Sequence, residues 1–122
     1  MKRSEFRELV RSALEGLPPK LKAMVDNVDV QVTSWATREQ LLENGVPRKE
    51  ELFGLYEGIP LTERTSSYGM VLPDRITIFQ GPLELWSGSE EELRSEIQKT
   101  VVHEVAHHFG MSDGELSKMG WG

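Results

Sequence analysis

SEEELRSEIQKTVVHEVAHHFGMSD, residues 89–113, is the stretch that decides how this chain reads. Ser89 stands three residues before Glu92, the spacing of a capping box, and Glu90, Glu91 and Glu92 put negative charge where a helix is positive. Neither glycine nor proline interrupts the sequence until Gly110, so the spacing predicts one helix of about twenty residues. Val101, Val102, Val105, Ala106 and Phe109 occupy the arc opposite His103 and His107. A helix polar on only one arc near its end belongs in the middle of a fold, with that arc opening on a cleft.

The chain has 3 histidines, and all of them lie in His103-Glu104-Val105-Ala106-His107-His108. His103 and His107 are four positions apart, about 40° around the helix and one turn apart in height, so both rings can reach one ion. Glu104 is rotated by about 100° from His103, which places it beside such an ion and near a bound water without making it a ligand. Gly110 supplies the left-handed residue that turns the chain back, and Asp113 is then placed for a third ligand. Two neutral imidazoles and one carboxylate leave a zinc ion (Zn2+) with a net charge of about +1 and a free fourth position, the pattern of a catalytic site. Shuffling this composition would produce His-Glu-x-x-His-x-x-Gly-x-x-Asp in roughly one chain in thirty thousand, so chance does not explain the string. Beside it, His108 is one turn from Glu104 and can bond that carboxylate, orient another part of the site, or simply bond backbone. Glu115 is the reserve ligand if Asp113 points away.

Outward from this helix, residues 4–17 read as an amphipathic helix through Phe6, Leu9, Val10, Ala13, Leu14 and Leu17, stopped by Pro18-Pro19. A short helical segment is expected through Leu21 to Val25, then a strand in which Val28, Val30 and Val32 alternate with Asp29 and Gln31. Thr37 can cap a short helix over Arg38 to Glu43, and Leu52 to Tyr56 is a second strand candidate. Residues 58–74, rich in proline, glycine, serine and threonine, read as a long loop. Arg75 to Phe79 is the clearest strand, and Leu83 to Trp86 a short turn of helix. The fold class is α+β: a small mixed sheet of three or four strands packed on the long helix, with the N-terminal helix covering another face.

With 122 residues the chain is read as one domain, 1–122, having one modest core. Its 20 acidic and 14 basic residues give a net charge of −6, which argues against nucleic acid and anionic membranes as partners. Cysteine is absent, which removes disulfides, thiolate metal sites and cysteine nucleophiles together. No segment approaches the roughly 18 apolar residues of a membrane span, and the charged start does not read as a secretory signal, so a cytoplasmic protein is expected.

The string HEVAHHFGMSD resembles the zincin metallopeptidases, and its Gly110 and Asp113 are most similar to metzincin-type proteins with aspartate as third ligand. More closely, PDRITIFQGPLELW (73–86) before TVVHEVAHHFGMSD (100–113) resembles a family of small bacterial zincin-like proteins described as minimal metallopeptidases. The resemblance implies a minimal zincin-like fold, zinc held by His103, His107 and Asp113, and Glu104 as general base in peptide hydrolysis. It also implies a sheet edge that binds an extended peptide or protein substrate, for which Arg75 to Phe79 is nominated. Tyr68 and Arg75 are candidate oxyanion helpers, and Met111 or Met119 the candidate methionine beneath the metal. Two functions follow. One is a zinc-dependent peptidase; the other is a zincin-shaped metal-binding module that holds peptide, as a chaperone-like or interaction protein, without cleaving it. The intact Glu104 favours the first, since a binder needs no general base.

Overall fold

The computed structural model describes residues 1–58 and 74–121. Most of the expected long loop, including Tyr68, lies outside them. Helix α1 (Arg3–Glu15) buries Phe6, Leu9, Val10 and Ala13 along one stripe and ends at Gly16. Helix α2 (Pro19–Asp26) has its proline at the first helical position, where the missing N–H costs no intrahelical bond. Strand β1 (Asp29–Thr33) follows, then α3 (Arg38–Glu43), whose cap Thr37 makes a reciprocal box with Gln40. A single 3-10 turn (Lys49–Glu51) leads into β2 (Gly54–Glu57). After β3 (Arg75–Phe79) come α4 (Gln80–Trp86) and α5 (Glu90–His108). A final helix, α6 (Asp113–Lys118), was not expected, although Ser112 and Glu115 carry the capping-box spacing that announces it and form that box here.

The sheet is mixed, in the order β1-β3-β2, with β1 parallel and β2 antiparallel to β3. The strand nominated as a peptide-binding edge, Arg75 to Phe79, is therefore the central one. Its two sides are already taken by β1 and β2, and its alternate residues are buried on both faces. A strand buried on both faces reads as a β-branched run, which is why it is the clearest in the sequence, but its pairing with both β1 and β2 disqualifies it as an edge. The edge next to α5 is β2.

Ile76 and Ile78 face the main core with Val30 and Val32 from β1. Thr77 and Phe79 face the other way, and Phe79 closes a small cluster with Ala36 and Leu52. Across the main core, α5 presents Leu93, Ile97, Val101, Val102, Val105 and Ala106, all buried, to the sheet and to α1 and α2. The helix is thus central, as its sequence implies. Phe109 departs from the pattern: it caps α5 and stays 59% exposed, because the chain leaves the helix there and turns at Gly110, with φ of 79°. Arg94 and Gln98 of α5 reach back to the carbonyls of Ser12 and Ala13, at 2.9 and 2.7 Å, and so satisfy acceptors in the last turn of α1. Among the described residues, no helix is long and apolar enough to cross a membrane.

Candidate metal centre

The last two turns of α5 carry His103, Glu104, His107 and His108, and three surroundings meet them: β2 on one side, α6 beyond the bend, and Trp121 after α6. His103 and His107 are neighbours, their ring centroids 6.0 Å apart. Asp113, the first residue of α6, brings its Oδ1 to 2.8 Å from His107 Nε2. The Gly110 turn returns the aspartate to His107, at a position open to solvent, where the Asp113 side chain is 82% exposed. His103 Nε2 is directed elsewhere, to the backbone carbonyl of Trp121 at 2.7 Å.

Among the described residues, no three His, Asp or Glu side chains converge as a metal requires. The arrangement is a pair, His107 with Asp113, and a third candidate, His103, held one turn back by a carbonyl. The donor set nonetheless suits zinc: two imidazoles offering Nε2 from adjacent turns and a carboxylate across the bend. His103, His107 and Asp113 are the residues that would hold the ion.

Glu104 is half-buried between α5 and β2 and accepts a hydrogen bond from the backbone N–H of Tyr56. Burial pushes its carboxyl above the ordinary glutamate range, against the opposing pull of the Tyr56 N–H and of His107 and His103. Both influences suit a general base, one by raising its basicity and the other by fixing its direction. Strand β2 approaches closely because Gly54 has no side chain: a Cβ there would lie 2.6 Å from Thr100 Cγ2. A groove of about 350 Å³ runs along this contact, lined by Phe53, Gly54, Thr100, His103 and Glu104 among others. A larger depression of about 920 Å³ lies between α1 and the start of α5, remote from the histidines.

His108 does not serve Glu104 directly. Its ring stacks on Tyr56 at 4.0 Å between centroids, and its Nε2 lies 3.5 Å from Asp74 Oδ2, which also accepts from the Tyr56 hydroxyl. Tyr56 thus joins the two histidine-bearing turns, with its N–H on Glu104 and its ring on His108. Arg75 pairs with Glu57 at 3.5 Å on the sheet face turned from α5, which removes it as an oxyanion helper. The Glu115 carboxylate is occupied by the Ser112 box, its Oε1 accepting from Ser112 Oγ at 3.3 Å, while Asp113 is the carboxylate at His107. Met111 and Met119 both pack against the main core. Sequence spacing had not singled out Tyr56, Asp74 or Trp121; their contacts join residues 18 or more positions apart in several cases and leave no local periodic signal.

The fold and the histidine helix define a zincin-like architecture. The zincin-like metallopeptidase family matches residues 25–121, and the chain belongs to that family. A conserved hypothetical protein from T. thermophilus shares the fold, with a TM-score of 0.53 and 23% identity over 98% of each chain. No curated protein matches the chain.

Proposed function

We propose that this chain is a zinc-dependent peptidase in which His103, His107 and Asp113 hold the metal and Glu104 is the general base. The observation that carries the reading is the Glu104 carboxylate: half-buried, raised in pKa, oriented by the Tyr56 N–H, and adjacent in sequence to one histidine and within a turn of the other. When bound, zinc would supply a Lewis acid for the peptide carbonyl and bring the pKa of water toward about 7. Glu104 would take a proton from the attacking water and later deliver it to the leaving amine.

The substrate lies along β2. Phe53 O receives the N–H of Phe79 from β3, so by alternation Leu55 also faces β3 while the backbone groups of Gly54 and Tyr56 face away from it. The Tyr56 N–H is used on Glu104, and the outward Gly54 carbonyl can accept from an extended peptide beside the histidine pair. Recognition through backbone tolerates many sequences. The net charge of −6 favours neither nucleic acid nor an anionic membrane as partner.

Cleavage of a peptide library by zinc-loaded wild type and by Glu104→Gln protein tests the reading, with metal content measured for both. Equal zinc content with cleavage only by wild type is the expected result. Zinc bound by both and cleavage by neither would leave a peptide-holding module in place of an enzyme.

A further inference from the structure

The short helix α6 addresses both histidines at once. Its first residue, Asp113, meets His107, and the turn past its end brings the Trp121 carbonyl to His103. That turn is well defined. Gly120 has φ of 84°, its N–H donates to Ser117 O at 3.0 Å, and the Trp121 N–H donates to Leu116 O at 2.8 Å, the paired bonds of a left-handed helix stop. Leu116 anchors α6 with no exposed surface, and the Trp121 side chain packs against the main core.

A carbonyl oxygen only accepts, so the His103 Nε2 that bonds to it carries the proton. Zinc needs the lone pair of that same nitrogen at about 2.0–2.1 Å. An oxygen 2.7 Å along the same direction stands where the ion must go.

We propose that the Gly120–Trp121 turn is a built-in competitor of the metal: the Trp121 carbonyl and zinc exclude one another at His103, so α6 contributes a ligand at one end and a release gate at the other. This rests on the zinc reading of His103, His107 and Asp113. A Cβ at Gly120 meets nothing within 4 Å, and Gly120→Val, whose β-branch is strained at positive φ, disfavours the left-handed turn through backbone conformation.

The experiment is zinc titration of the full chain carrying Trp35→Phe and Trp86→Phe, which leaves Trp121 as the only indole of the 3 tryptophans. Its fluorescence and isothermal calorimetry are read together. Zinc is expected to shift Trp121 emission to longer wavelength with the same midpoint as the heat, and Gly120→Val to bind zinc about fivefold more tightly, the factor for one net hydrogen bond removed. Trp121→Ala, which loosens the same turn from its side-chain end, is expected to change affinity in the same direction. Zinc binding that leaves Trp121 emission unmoved and is equal in both variants overturns the gate while the metal site stands. Weaker binding by Gly120→Val also overturns it, by making the carbonyl a ligand. No zinc binding by any of these proteins, nor any difference from His103→Ala, overturns the metal reading and the gate together.

Discussion

Gly54→Ala is the sharpest test of how the groove is built. The added Cβ would stand 2.6 Å from the Thr100 Cγ2 methyl, with the next atoms at 3.4 Å (Thr77 O) and 3.9 Å (Glu104 Cγ). Carbon atoms pack at about 3.5–4.0 Å, so β2 and α5 must separate by on the order of 1 Å, or Thr100 must leave its rotamer. Overpacking of this kind costs about 1–3 kcal/mol. The clash is with a single methyl, so Thr100→Ser, which removes only that methyl, should cost under about 1 kcal/mol alone and restore most of the loss in the double variant. Urea unfolding of the four proteins reads this as a drop in midpoint on the order of 1 M for Gly54→Ala and its recovery in Gly54→Ala/Thr100→Ser. The separation should also lengthen the Tyr56 N–H bond to Glu104, two residues along the same strand, so cleavage falls while zinc affinity holds. Strictly additive effects, with a coupling below about 0.5 kcal/mol, would refute the close approach of β2 to α5.

Zinc at a hundred times its dissociation constant should raise unfolding free energy by about 2.7 kcal/mol, reversed by a chelator. His107→Ala and Asp113→Ala should abolish that increment, whereas Glu115→Ala, which loses only a cap contact, should keep it; equal loss in all three would contradict the ligand assignment. Ser89→Ala removes the side chain that accepts from Glu92 N–H at 3.1 Å and should cost about 1 kcal/mol in thermal or urea unfolding, without changing zinc affinity.

Legibility followed sequence separation. The helix α5 with His103, Glu104 and His107, its cap at Ser89, its stop at Gly110 and the return to Asp113 are written within one continuous stretch, because helix periodicity and capping are local chemistry. The strand Arg75 to Phe79 was legible as a strand for the same local reason, yet its place in the sheet was not: β1 and β2 choose their partner by tertiary pairing, and nothing in the residues of β3 says that both sides are filled. Phe109 follows the helical pattern of the core but lies past the last full turn, so periodicity counted it as buried when the end of the helix exposed it.

The division between legible and illegible residues has a functional counterpart. The candidate ligands His103, His107 and Asp113 come from one local segment, so the donor set travels with the helix and its bend. What decides whether those donors meet an ion, and whether the base is aimed, comes from distant chain: Tyr56 of β2 holds Glu104, Asp74 and Tyr56 hold His108, and Trp121 holds His103. Such contacts each contribute about one hydrogen bond, roughly 1 kcal/mol, too little to specify the fold but enough to shift a metal or proton equilibrium about fivefold. Control over the site can therefore change by substitution at Gly54, Tyr56 or Gly120 while the histidine motif stays intact, so an unaltered HEVAHHFGMSD string defines the donors without defining how readily they are used.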